Sequence, residues 1–164
     1  MNWEKMIITD KDKEYMRMAC DIAEENIENG GGPFGAVIVR NGEVIATGAN
    51  TVTVDNDPTA HAEVNAIRKA CRDNKYFKLK DCVVYSSCEP CPMCLSALYW
   101  AGVERIYYGN TKEDAKAIDF ADDFIYDEIE CEPEKRHIPS YRIVDDKCIV
   151  AFEKWAAKED KTEY

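Results

Sequence analysis

Residues 82–94, CVVYSSCEPCPMC, run from an apolar, β-rich stretch straight into a knot of prolines and cysteines. CVVYSS (82–87) reads as a buried strand, and the Pro-Cys cluster opens a helix that continues to about Ala101, with Leu95 and Leu98 inside. VERIYYG (103–109) is another strand. Upstream, PFGAVIVRNGEVIATGAN (33–50) holds two β-rich runs split by Asn41-Gly42, a strong hairpin signal. Before the hairpin, Met16, Ala19, Cys20, Ala23 and Ile27 recur at spacings of three and four, which predicts an amphipathic helix over 12–29 closed by NGGG. After it, a polar loop (51–60) leads through Thr59, a candidate N-cap, into a helix from about Ala60 to Lys75. Val64, Ile67 and Cys71 are its expected buried stripe. Downstream, 112–130 reads as helix in two pieces, YRIVDD (141–146) as a last short strand and 147–161 as a last helix. This order describes an α/β fold, one sheet with helices on both faces.

A chain of 164 residues fits one compact domain, which at that size buries about 70% of its unfolded surface. Thirty-two acidic residues against 21 basic ones leave a net charge of −11. Phosphate backbones are bound by clustered Lys and Arg, so nucleic acid is disfavoured as a partner. No window approaches the roughly 20 apolar residues of a membrane helix. The N-terminal MNWEKMIITDKDKEY has no long apolar run and does not read as a signal peptide, so a cytoplasmic protein is expected. Its eight cysteines are then expected to be reduced, with Cys20 and Cys71 acting as small hydrophobes inside helices.

Cys91-Pro92-Met93-Cys94 is ambiguous alone. At a strand-to-helix junction it suits a thioredoxin-like redox pair. A structural zinc site needs four closed ligands, and the cysteines at 20, 71, 82, 88, 131 and 148 contain no second pair with that spacing. A three-ligand site with an open position is the arrangement of catalytic zinc, and its third ligand is sought among two histidines. His137 lies in the charged EKRHIPS and reads as a solvated surface residue, whereas His61 opens a helix in TAHAE. Cys91 and Cys94, three apart, share a helix face and can reach one ion at about 2.3 Å. Pro92 suits the first helical turn, where its missing N–H costs nothing. Two helix N-termini converging on a metal would direct their positive dipole ends at it and stabilise thiolates. Glu63 offers a carboxylate for proton transfer, but residues two apart do not share a helix face, so spacing does not bring it to the metal.

His61-Ala62-Glu63 followed by Pro90-Cys91-Pro92-Met93-Cys94 resembles the zinc-dependent cytidine deaminase superfamily, whose signature is H-x-E…P-C-x-x-C. The resemblance covers roughly Met16 to Tyr164. It implies a three-layer α/β/α fold with a mixed five-stranded sheet and one Zn²⁺ per subunit held by His61, Cys91 and Cys94. It also implies hydrolytic deamination by zinc-activated water, with Glu63 as proton shuttle and the backbone around Ala62 and Cys91 lining the pocket. GGPFGAVIV, NDPTAHAEV, SCEPCPMCLSALYWA and DDFIYDEI are most similar to bacterial guanine deaminases. That resemblance implies that Phe34 stacks on the purine, that Asn50 bonds the base edge and that Tyr164 closes the pocket. It further implies that Asp122 reads guanine and relays a proton, with Asp123 as a neighbouring candidate because the family's F-D-D-S-F-I-Y is replaced here by FADDFIY (120–126). A homodimer is implied too, with the C-terminal segment, about 140–164, crossing to the partner. Transfer-RNA adenosine deaminases share DPTAHAE and PCxxC but need a basic surface; cytosine deaminases are not expected to carry DDFIY. A zinc-holding or redox protein without deaminase activity would have no use for Glu63. Cys88, just ahead of the motif, is expected to be a packed thiol.

Overall fold

The computed structural model describes residues 7–163, and its chain divides into two compact units between Asp123 and Phe124. In the first unit, helix α1 (Asp10–Glu28) opens on a capping box, in which Thr9 Oγ1 accepts from Asp12 N while the Asp12 carboxylate accepts from Thr9 N. The hairpin follows as predicted: β1 (Gly32–Arg40) and β2 (Glu43–Asn50) are antiparallel, and Asn41 and Gly42 both turn at positive φ. A short helix α2 (Val52–Asp55) precedes α3 (Ala62–Asn74), then β3 (Cys82–Cys88), α4 (Pro92–Ala101), β4 (Arg105–Asn110) and α5 (Lys112–Lys116). The strands lie in the order β2-β1-β3-β4, with β1–β3 antiparallel and β3–β4 parallel.

Alternation along β1 splits the core. Ala36 and Ile38 pack with Ala62, Ala66 and Ala70 of α3 and Leu98 of α4, while Val37 and Val39 pack with Tyr15 and Ala19 of α1 and Tyr85 of β3. Helices therefore cover both faces, as expected. They sit very close: a Cβ on Gly35 would lie 2.3 Å from Ala19 O, and one on Gly48 2.2 Å from Ala62 O. Alanines, not the larger residues, face the sheet for the same reason. Val64, Ile67 and Cys71 are only partly buried, at the flank of the stripe. On α1 the inner stripe is Tyr15, Ala19, Ala23 and Asn26, and both Cys20 and Ile27 are exposed.

Two further expectations change. Thr59 does not cap α3; its N–H and hydroxyl both donate to Asp57 Oδ1 (2.8 and 2.7 Å), and the helix begins two residues late with His61 as N-cap. The sheet has four strands among the described residues, not five. In the second unit, α6 (Phe124–Glu130) and α7 (Asp146–Ala157) are the α-helices among the described residues, and 141–145 forms no strand. Asp145 instead caps α7 by accepting from Lys147 N at 2.8 Å. No residue described in this unit is buried.

The seat of α3 gives a stability test. Gly48→Ala should cost about 1–3 kcal/mol through overpacking, read as a lower urea midpoint; an unchanged midpoint would contradict so close an approach.

Candidate active site

Two helix N-termini meet at one point. His61 is the N-cap of α3 and Cys91 that of α4, both with extended backbone (φ −71°, ψ 157° and φ −61°, ψ 166°). Cys91 Sγ accepts from Cys94 N at 3.4 Å, and Pro92 occupies the first turn. His61 Nδ1 lies 3.5 Å from Cys91 Sγ and 3.5 Å from Cys94 Sγ. All three ligand atoms fall within 4.8 Å of one another. Tetrahedral zinc with ordinary Zn–S and Zn–N bonds separates its donors by about 3.5–3.8 Å, so this N/S set has the spacing and chemistry of a zinc site with one open position. Cys88 is buried instead, its thiol donating to Thr111 O at 3.5 Å, and His137 is exposed in the second unit.

The site's charges are coupled. Cys91 is pulled down to about 4, by its hydrogen bond from Cys94 and then by the one from His61. Cys94 is pushed far up, because it gives that hydrogen bond, is buried, and lies beside Glu63. His61 is raised chiefly by its bond to Cys91. Without a cation one negative sulfur is thus favoured and the second resisted; a dication is what allows both to ionise.

Glu63 is buried, and burial raises its pKa. It nevertheless lines the same cavity as His61. The helix-face rule did not apply, because His61 is extended and only Ala62 begins the helix. The cavity holds about 540 Å³, within the usual range of ligand pockets. Phe34, Asn50 and Asp122 also line it.

Each arrives by a different device. Between Gly32 and Gly35 the β1–β2 register slips, and Pro33 and Phe34 stand out of the ladder. Phe34 then meets Phe120 edge-on, at 5.0 Å and 84°. Asn50 is buried at the end of β2; its Oδ1 accepts from Val52 N at 3.3 Å. Its carbonyl accepts from Asn26 Nδ2, which also donates to Gly32 O, both at 2.7 Å. Asp122 is partly buried, and desolvation followed by the charge of Cys91 raises its pKa. Asp123 is turned to Lys116 instead, at 2.6 Å. Ala62 packs in the core behind the wall, but its N–H is among those a helix leaves without an internal partner. Tyr164 lies outside the described residues.

Residues 9–110 match the family model of the cytidine and deoxycytidylate deaminase zinc-binding region. The chain belongs to this deaminase family. It is 48% identical over 151 residues to guanine deaminase of Bacillus subtilis, covering 92% of this chain and 97% of that one. The X-ray structure of guanine deaminase from Bacillus subtilis superposes with a TM-score of 0.91 at 46% identity, over 96% of this chain and 99% of the other. A tRNA-specific adenosine deaminase of Buchnera aphidicola is 36% identical over 66% of this chain and 72% of its own. Membership in a zinc deaminase family agrees with the donor set, and zinc is its cofactor.

Sequence reasoning passed over Asn26, Ser86, Glu89 and Phe120. Asn26 and Ser86 had a legible signal, since each is a polar residue inside an otherwise buried stripe or strand and must find a partner. Glu89 and Phe120 reach the wall from loops, which carry no periodicity.

Metal analysis checks the ligand set. His61→Ala and Cys94→Ser should each lose most of the zinc, while Cys88→Ser keeps about one per chain. Retention by Cys94→Ser would exclude Cys94 as a ligand.

Proposed function

We propose that the protein converts guanine to xanthine and ammonia by hydrolysis. The observation that carries this reading is one cavity wall that unites His61 and Cys91 with Glu63, Phe34, Asn50 and Asp122, in a chain similar to a guanine deaminase over nearly its whole length. Zinc held by His61, Cys91 and Cys94 supplies Lewis acidity and lowers the pKa of water. The protein's own groups do the rest. Phe34 offers a face on which the purine stacks. Asn50, braced by Asn26, meets the base edge. Asp122 accepts from guanine's N1–H and amino donors, a charge-assisted pairing in a partly dry pocket. Helix α3 adds the N–H of Ala62 and places Glu63 to take a proton from water and return it to the departing nitrogen. A site built on such hydrogen bonds rejects bases that lack the donors.

Ammonia release from a panel of guanine, guanosine, adenosine, cytosine and tRNA tests the substrate. Guanine should dominate; preferential release from tRNA or cytosine would favour the sister activities and overturn this reading. Glu63→Gln should keep zinc yet lose turnover by about 10²-fold or more. Asp122→Asn should impair guanine turnover, with Asp123→Asn close to wild type.

We infer further that the active form is a cytoplasmic homodimer, one domain per chain, with the segment after about residue 140 passing to the partner and Tyr164 closing its pocket. Support comes from the second unit, in which no described residue is buried and Ile143, Val144 and Phe152 are exposed. No described helix is long and apolar enough to cross a membrane. Light scattering should give twice the 18.7 kDa chain mass; a monomer at micromolar concentration would exclude the exchange.

A further inference from the structure

Ser86 and Ser87 precede the ligand cluster on β3, and both are buried. Alternation sends them to opposite faces of the sheet. Ser87 Oγ accepts from Gly35 N at 3.0 Å, just beyond Phe34. Ser86 shares the face of Val84, which packs with α3 and α4, and its hydroxyl donates to Glu63 Oε1 at 2.9 Å.

We propose that Ser86 is a positioning residue for the proton-transferring carboxylate: by holding Oε1 of Glu63 from behind, it leaves the other oxygen to the cavity. The proposal rests on the reading of Glu63 as proton carrier given above. Three observations support it. First, Glu63 is 6% exposed, and a buried carboxylate requires donors. Its own backbone N–H supplies one, and the Ser86 hydroxyl supplies a side-chain donor to Oε1 at 2.9 Å. Second, β3 is an inner strand, paired at Ser86 with Ala36 on one side and Tyr108 on the other. The hydroxyl therefore stands on backbone held by ladders on both sides, a fixed reference for a flexible side chain. Third, Glu63 lines the cavity and Ser86 lies behind it, so Ser86 acts through Glu63 and not on the substrate.

A hydroxyl that merely satisfied a buried group would affect stability alone, so the test separates the two roles. Ser86→Ala, Ser86→Cys and Ser86→Thr are prepared as full-length, zinc-loaded enzyme. Steady-state kinetics use guanine, or whichever base the wild type deaminates; zinc content and xanthine binding by calorimetry are measured alongside. Ser86→Ala should lower kcat by about tenfold or more, because a misplaced acid–base group loses near-attack geometry. KM and the xanthine Kd should stay within about threefold, as removal of a transition-state interaction leaves ground-state binding intact. Zinc content should be unchanged. Ser86→Thr, which keeps the hydroxyl, should recover most of kcat. Ser86→Cys has nearly the original volume with a weak donor, and serves as the loss variant should the alanine protein not fold. The proposal is overturned by a loss variant with kcat within about twofold of wild type, by Thr falling as far as Ala, or by a loss matched to lost zinc. A wild type that deaminates another base sinks the guanine assignment and leaves this comparison standing on that base.

Discussion

The approach of two helix N-termini across one end of a sheet is the constraint on which the site depends. His61 and Cys91 are caps, so their side chains project from extended backbone at the point where each helix begins. A cap is the one helical position whose side chain naturally turns back across the helix end. Joining α3 and α4 at such positions brings the imidazole to 3.5 Å from both sulfurs and directs two positive dipole ends at the point they share. The dipoles matter because two like charges side by side resist ionising together.

That convergence is tolerant of nothing bulky beneath it. Gly48 lets β2 touch the Ala62 carbonyl, and Ala66 and Ala70 continue the close seam along α3. Small residues here contribute less apolar area than leucines would, but they fix the height of the helix above the sheet. The height sets where His61 and Glu63 stand. Gly35 has the same role for α1 on the other face, and through α1 the Asn26 amide clamps Gly32 and Asn50 at the far wall. The two faces of one sheet thereby position opposite walls of one cavity. The slip of register that ejects Phe34 from the ladder lies between these two anchors.

Local features were legible where a short motif has one physical solution. Asn41-Gly42 needs positive φ twice, and a tight hairpin is what uses it. Pro92 after Cys91 belongs in a first turn. The expected fifth strand failed for the opposite reason. β-branched residues in 141–146 describe a chain able to extend, but a strand exists only with a neighbour, and Asp145 found a helix to cap. The predicted stripes of α1 and α3 erred by about one residue because periodicity locates an apolar side, while the distance to the sheet decides which residues fit beneath it.

Composition and spacing by themselves determined the hairpin, the Cys91–Cys94 pair at a helix start and the layered α/β class, because each is written in local patterns along the chain; His61, 30 positions from Cys91, is brought to that pair by the fold. Tertiary structure alone decided that Glu63 stands beside the histidine, that Asp122 and not Asp123 lines the cavity, and that Ser86 holds the carboxylate. Glu63 and Ser86 are 23 positions apart and meet only when α3 settles on the sheet. Asp123 is withdrawn by Lys116, an ion pair that no motif announces. Contacts of this kind depend on how closely layers pack, a property of the whole core and of no single segment.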